Sequence, residues 1–460
     1  MSDHGLQLAR DKMEQADVDP AAIDVFAHYY RLVESGETGM IPESTIDPLG
    51  MAALADVSVG DDVAHDAINQ TVVVKLNGGL GTSMGMARAK SLLAVRDGLS
   101  FLDIIARQVL TLREKYDAAL PLIFMNSFRT MQDTRAALAR YDGLTVDGLP
   151  LDFLQNKEPK LRADDLTPVT WETDPDLEWC PPGHGDIYTA MRGTGLLDRL
   201  IEAGYTQVFV SNCDNLGAVP DARVAGWFAQ SGAPFAIEAV RRTPSDRKGG
   251  HFATRSSDGR IVLRESAQTR DADKDALADL DRHRYASTNN LWFDLAAMRD
   301  ELDRRDGLLG LALIKNTKTV DPADPDSPEV IQIETAMGAA IEVFDGATTI
   351  EVGRDRFVPV KTTNDLLVLR SDCYELREDY VLDLVAPAVP FVDLDGAHYK
   401  LVGDFDARFP DGVPSLGRAT SFVVHGDWTF GAGVRVLGDA VLEKQATPGR
   451  VEPGAVLGAG

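Results

Sequence analysis

Apolar positions along this chain change texture twice. Near the start, Ile23, Phe26, Tyr29, Tyr30 and Val33 fall at the spacing of one helical face, so 21–33 is expected as a helix. The stretch 36–50, GETGMIPESTIDPLG, is rich in turn residues and reads as an extended loop. From about 70 to 375, short apolar runs alternate with amphipathic segments. The runs at 72–76, 121–125, 207–210 and 234–240 read as buried strands. Residues 130–141, with Met131, Thr134, Leu138 and Tyr141 along one side, read as a helix, as do residues 296–305, ended by Asp306-Gly307. This alternation predicts an α/β fold with a mixed sheet and ligands at the carboxyl ends of its strands. After about 385, Gly, Val and Asp dominate. There Val424, Phe430, Val436 and Leu442 recur every six residues, which suits a left-handed β-helix, although a β-meander also accommodates four such positions. Three parts are expected: a helical segment over 1–65, the α/β domain over 66–384 and the C-terminal domain over 385–460.

Composition narrows the partners. With 460 residues, 44% hydrophobic and 26% charged, the chain has ordinary globular content and length for two or three domains. A net charge of −26 repels nucleic acid and anionic lipid, so neither is expected as a partner. The three cysteines, Cys180, Cys213 and Cys373, form no C-x-x-C and are odd in number, so neither a disulfide framework nor a zinc site is indicated. The first twenty residues lack the apolar core of a signal peptide, and no stretch approaches the roughly 18 apolar residues of a membrane span. A soluble cytoplasmic protein is expected.

The run at 72–76 breaks into Asn77-Gly78-Gly79-Leu80-Gly81-Thr82 and then reaches Lys90. Clustered glycines admit φ > 0 and turn backbone N–H groups toward an anion, and Lys90 adds a full positive charge. A nucleoside triphosphate suits that pairing. A Walker A loop would place a glycine directly before the lysine, and none precedes Lys90. A dinucleotide fingerprint would read G-x-G-x-x-G, and Gly79, Gly81 and Gly85 are spaced one residue too wide. Asp214, in VFVSNCDNLG, directly follows an expected strand, where a carboxylate holds Mg²⁺ or caps the next turn. In WCPPGHGD, two prolines fix φ, so Gly183 and Gly185 must turn the chain around His184. That places an imidazole in a cleft, or leaves an ordinary surface histidine. Lys361, in RFVPVKTTNDL, is a phosphate-facing ammonium or a solvated strand end.

The glycine string resembles the L-x-G-G-x-G-T-x-x-G loop of sugar-nucleotide pyrophosphorylases. Its form with Asn77 and Ser83-Met84-Gly85 is similar to that of the eukaryotic-type UTP–glucose-1-phosphate uridylyltransferase family, and the other strings follow in family order from about Tyr30 to Leu457. The resemblance implies a Rossmann-like, GT-A-like nucleotidyltransferase sheet followed by a left-handed β-helix, continued through HGDWTFGAGVRV and VEPGAVL. It implies formation of UDP-glucose and pyrophosphate from UTP and glucose 1-phosphate, with Mg²⁺ as cofactor. It assigns Leu76, Gly78, Gly79, Gly81 and Thr82 to the nucleotide, Gln155 and the Gly183 backbone to uracil, and Asp214 to the metal. His184 would contact the sugar phosphate, and Lys90 and Lys361 the phosphates. Without the resemblance Gln155 would not stand out, although its carboxamide matches uracil's imide. Asn212, Gly250, Glu265 and Asn289 would surround the hexose, with Glu334 as supporting structure. Ser287 stands where the family usually has Asn, Arg270 where Pro is common, and His251 in place of a smaller residue, which leaves the choice of sugar open. The rival readings are a broad UDP-sugar or UDP-N-acetylhexosamine pyrophosphorylase and a non-catalytic nucleotide-sensing scaffold. Asn77 and Ser83-Met84 weigh against the acetylhexosamine branch, and the presence of Lys90, Asp214 and Lys361 against the scaffold. Animal and fungal relatives oligomerise through the C-terminal domain. This chain stops at VEPGAVLGAG, short of their final strand, so its assembly stays open between monomer, dimer and larger oligomer.

Overall fold

A computed structural model describes residues 2–247 and 249–458. Its centre is a seven-stranded sheet in the order Thr348–Glu351, Phe235–Arg241, Tyr285–Asp294, Gln207–Asn212, Thr71–Asn77, Leu122–Asn126 and Asp152–Leu154. Only Tyr285–Asp294 runs antiparallel to its neighbours. Thr71–Asn77 and Leu122–Asn126 are buried at every position, as a strand covered on both faces must be. Alternate side chains sort to opposite faces. Val73, Phe124 and Phe209 pack with the helices Phe101–Tyr116 and Ala222–Ser231, whereas Val72, Val74, Ile123 and Val208 pack with Ile187–Gly193, Leu196–Glu202 and Leu295–Arg304.

Register decides where polar chemistry goes. Leu76 pairs with Asn212, Asn77 with Asn126, and Asn126 with Leu154, so four segments leave the sheet at one edge. The antiparallel strand brings Asn289 and Asn290 toward that edge. A register shift between Ile237 and Ala239 and the φ of 56° at Asn289 mark a bulge there, in a conformation that asparagine tolerates better than most residues.

The first helices, Ser2–Gln15 and Pro20–Glu34, form a separate layer. Asp19 accepts from the Ala21 N–H to cap the second, which starts on proline, and its expected face is buried throughout. That face packs on Leu161, Leu313, Ile331 and Ile333 of a small three-stranded sheet. The stretch expected as loop over 36–50 contributes a strand, Ile46–Pro48, paired with residues 253–255. The expected division at 65 falls inside the helix Asp61–Asn69, which packs on Ala222–Ser231. The helix expected over 130–141 spans only Met131–Leu138. The chain leaves it so that Arg140 and Tyr141 reach the buried Asp103.

In the C-terminal region Phe391–Leu394, Ser415–Val424, Arg435–Leu442 and Val456–Gly458 stack in parallel, and Trp428–Phe430 stacks in parallel on Gly449–Val451. A meander alternates strand direction, so parallel pairing throughout these strands excludes it. Val424, Phe430 and Val436 point inward, while Leu442 is half-buried. Among the described residues no helix is long and apolar enough to cross a membrane.

A buried ion pair underlies the ligand edge. Glu238 accepts from Arg356 Nε and Nη2 at 2.6 Å each, and from Asn290 and Trp292 at 3.0 Å. The pair fastens the segment carrying Lys361 to the sheet. Removing one partner strands a buried charge, at a cost of roughly 3–5 kcal/mol. Arg356→Met should lower the unfolding free energy by about that much in urea titrations. A loss under about 1 kcal/mol would reduce the pair to the worth of a surface contact.

Candidate active site

Asn77 ends its strand with the side chain turned inward, donating to Asn126 Oδ1 at 2.8 Å and Thr134 Oγ1 at 2.7 Å. This fixes the start of the glycine loop. Of the three clustered glycines only Gly81 is left-handed (φ 66°), joined further on by Gly85 (φ 74°). Gly78 is needed for a different reason: a Cβ there would lie 2.9 Å from the Gln155 carboxamide. Gly79 faces open space beside the exposed Thr82, so a ligand can approach its backbone. A Cβ on Gly85 would meet Leu401 at 3.1 Å, which shows that the C-terminal region rests on this loop.

Lys90 closes the loop, its N–H donating to the Gly79 carbonyl at 3.1 Å. Its ammonium crosses to the Asp214 carboxylate at 2.8 Å and to the Val360 carbonyl. Asp214 follows the strand Gln207–Asn212 as expected, and its carbonyl accepts from the Val360 N–H at 3.0 Å. Asn215 Oδ1 accepts from the Val358 N–H at 2.8 Å. The aspartate turn and the segment leading to Lys361 are therefore one unit. Asp365 accepts from the backbone N–H groups of Lys361 and Thr362 at 2.8 Å, fixing the backbone of the exposed Lys361. Asn212 lies half-buried at the strand end. Among the described residues no three His, Cys, Asp or Glu side chains gather to cage a metal. Mg²⁺ does not require such a cage, because it binds through one or two carboxylates together with substrate phosphates and water. Asp214 beside an open glycine loop fits that donor set.

Gly183 has φ 80°, and a Cβ on it would strike the Thr335 carbonyl oxygen at 2.5 Å. It would also lie 3.1 Å from Glu334 Cβ, which places Glu334 behind the loop as support. His184 Nδ1 accepts from the Met337 N–H at 2.9 Å. A ring nitrogen that accepts carries no proton, so Nε2 carries it. Burial lowers the His184 pKa to about 4, which keeps the imidazole a neutral N–H donor.

On the sugar side, a Cβ on Gly250 would sit 2.5 Å from Glu265 Oε2. Burial raises the Glu265 pKa, and the charge of Lys361 opposes that rise. Ser287 Oγ accepts from the Asn289 N–H at 3.1 Å, so the serine at the departing position fixes the bulge. His251 is buried and stacked on His283 at 3.7 Å, and its Nε2 accepts from Arg264 Nε at 3.0 Å. Glu43, from the stretch expected as a plain loop, braces His283 at 3.0 Å and Arg264 at 2.7 Å. This cluster holds Gly250 and Glu265 through their chain neighbours.

A family model described as UTP–glucose-1-phosphate uridylyltransferase matches residues 23–437. The chain belongs to this family. The UTP–glucose-1-phosphate uridylyltransferase of Hordeum vulgare is 37% identical over 86% of this chain and 82% of its own, and that of Saccharomyces cerevisiae is 38% identical over 82% and 74%. A Leishmania major UDP-glucose pyrophosphorylase solved in complex with UDP-glucose superposes with a TM-score of 0.92 at 42% identity, covering 98% of both chains. A Trypanosoma brucei protein described as UDP-glucose phosphorylase gives 0.92 at 41% identity, over 99% and 98%.

Against that family's pattern, the structure brings Lys90, Asp214 and the segment before Lys361 together, and Gly78 against Gln155. His184, Glu265 and Asn289 enter from separate elements. Lys75 belongs to none of the motifs above, although a charge inside the apolar run VVVKLN is a signal in itself. Lys75 Nζ donates to Ser211 Oγ and the Ala218 carbonyl at 2.7 Å, tying both ends of the Asp214 turn. Burial lowers its pKa to about 8.

Burial also lowers the His251 pKa to about 3, with His283 adding to the effect. Unfolding returns both His184 and His251 to an ordinary value near 6.5. Their contribution to stability is therefore complete above pH 6.5 and falls as pH drops toward 4 and 3. Buried Asp186, raised to about 7, acts in the opposite sense: it favours the folded state most below pH 4 and loses that as pH rises through 7. NMR titration should find both imidazoles unprotonated at pH 5 in the folded protein. Protonation of either near 6.5 would contradict this account.

Proposed function

We propose that the protein joins UTP and glucose 1-phosphate into UDP-glucose and pyrophosphate. One observation carries the reading: Lys90 and Asp214 meet at 2.8 Å between the glycine loop and the strand-end turn. There a phosphate chain would find an ammonium and a carboxylate suited to Mg²⁺ side by side. A phosphate oxygen of glucose 1-phosphate attacks the α-phosphorus of UTP in line, and pyrophosphate leaves. That oxygen is already ionised at neutral pH, so no protein nucleophile is required, and catalysis is positioning and charge stabilisation.

In this reading Leu76, Gly78, Gly79, Gly81 and Thr82 line the nucleotide, while Gln155 and the Gly183 backbone read uracil. Lys90 and Lys361 offset phosphate charge. His184 donates Nε2–H to the sugar phosphate without adding a charge of its own. Asn212, Gly250, Glu265 and Asn289 meet the hexose hydroxyls. Bound Mg²⁺, held by Asp214, would supply further neutralisation of phosphate oxygens. The same reading takes the core as a GT-A-like domain over 66–384, preceded by the helical segment 1–65. It takes 385–460 as a left-handed β-helix, of which residues 459–460 lie outside the described residues, and as the surface through which any oligomer forms. Three separately buried, unpaired cysteines suit a reducing cytoplasm.

A panel of sugar 1-phosphates with UTP and Mg²⁺, read by pyrophosphate release, should give the highest kcat/KM for glucose 1-phosphate. A preference for N-acetylhexosamine phosphates would move the protein to the rival branch, and no turnover with any sugar would make it a scaffold. Asp214→Asn should abolish most turnover while the fold is retained, and wild-type rates would remove Asp214 from the metal role. Lys361→Ala should cut kcat roughly 10- to 100-fold, the worth of a charge-assisted contact, with a smaller effect on UDP affinity. The reverse split would take Lys361 out of the transition state.

A further inference from the structure

Asp186 directly precedes the helix Ile187–Gly193, in the position of a cap, yet its side chain makes no capping bond to that helix. Both carboxylate oxygens turn away and accept from Asn156, one from the backbone N–H at 2.6 Å and the other from Nδ2 at 2.8 Å. Asn156 directly follows Gln155, and Asp186 lies two residues after His184. One side chain thus ties the segment that would read uracil to the segment that would meet the sugar phosphate.

The two segments are paired further along, Glu158 with Cys180 and Pro159 with Trp179, and nearer the site the Asp186 bonds are what joins them. Each is held elsewhere: the Gln155 N–H donates to the Asn126 carbonyl at 2.9 Å, and His184 is held by Met337. Behind them the protein is not close-packed. Asn156, Glu158, Gly185 and Asp186 line a cavity of about 30 Å³ beneath the helix Pro20–Glu34, enough for about two water molecules. Glu158, 3% exposed, has one oxygen, Oε1, with no hydrogen-bond partner. No other side-chain hydrogen bond among the described residues joins residues 155–157 to residues 183–186. Asp186 itself is buried, and that burial raises its pKa to about 7. A carboxyl in so costly a place, with no capping role, is accounted for by what it holds.

We propose that Asp186 is a positioning residue that yokes the base-reading segment to the sugar-phosphate segment, so that nucleotide and sugar phosphate are placed as one unit. The proposal rests on the uridylyl-transfer reading for its consequences, but the yoke itself is testable without turnover. Asp186→Asn, a near-isosteric neutral change, leaves one oxygen to accept the Asn156 N–H and turns an NH2 toward the Asn156 carboxamide, so the second acceptor and the charge behind both bonds are lost. Amide hydrogen exchange over 153–158 should accelerate, UDP affinity by calorimetry should fall about tenfold, and KM for glucose 1-phosphate should rise with it. Gln155→Ala alone should weaken UDP and leave the sugar KM near wild type. Adding Asp186→Asn to Gln155→Ala should then cost less than a further twofold in UDP affinity, because Asp186 acts through that segment. Asn156→Ala, which removes the Nδ2 bond from the other side, should reproduce the coupled loss if Asp186→Asn folds poorly. Unchanged exchange and unchanged UDP affinity in both variants would overturn the yoke, as would losses that multiply independently in the double variant. A wild-type protein that binds UDP but transfers nothing would instead overturn the functional reading, with exchange and calorimetry still deciding the role of Asp186.

Discussion

A sheet covered on both faces has one place for polar chemistry, the ends of its strands. Everything at the candidate site follows from that constraint. Thr71–Asn77 is buried along its whole length, and register places its last residues level with Asn126 and Asn212. The chain turns polar at this edge because it must leave the apolar layer there. The residues doing so are short amides and glycines, which bond inward and still let the backbone turn. Asn77 and Asn126 use carboxamides to join strand ends distant in sequence, and Asn215 joins the turn after one strand to the segment leading to Lys361.

The same constraint explains the buried charges. The chain carries a net charge of −26, yet a phosphate site needs cations. Lys75, Lys90 and Arg356 are gathered at or beneath the ligand edge. Lys75 and Lys90 are bonded to the turn that carries Asp214 or to the segment that leads to Lys361, and Arg356 to Glu238 and the Val219 carbonyl. The cost of desolvating them is offset by fixed partners rather than by water, so the field at the glycine loop is set before any ligand arrives.

How legible this was from the sequence depends on how local each cause is. The buried strands, the helix on the face of Ile23 and Phe26, and the glycine loop with Lys90 rest on neighbours a few residues apart, and their spacing shows it. The clustered glycines were legible as a loop but not in their individual roles. Gly78 is small because of Gln155, and Gly183 because of Thr335, contacts made only by the folded chain. The clasp of Asp186 on Asn156 and the bracing of His283 by Glu43 are of this kind too. Ser287 departs from the family's usual Asn and leaves the choice of sugar open, and its hydroxyl fixes Asn289, a contact that only the folded chain makes. The six-residue period predicted stacked coils, while the register pairs residues about three periods apart, Phe422 with Ala440 and Phe391 with Ser421 across a longer excursion.

Lys90 and Asp214 satisfy one another, with side chains 16% and 26% exposed. Left apart, Asp214 would be a half-buried charge without its counter-ion, and the glycine loop would be held to the opposite side through the Val360 carbonyl alone. Together they keep the loop close to the Val360 carbonyl and leave the site's local charge near balance. On the proposed reading, a triphosphate with its cation would exchange one ion pair for two, with Lys90 facing phosphate oxygen and Asp214 available to hold the metal. Because no charge is bare either before or after the exchange, the added binding energy is small in the ground state. More of it remains for the moment when charge moves onto the leaving pyrophosphate. The neutral His184 fits the same balance, since on the proposed reading an N–H donor would orient the incoming phosphate without holding the product by an ion pair.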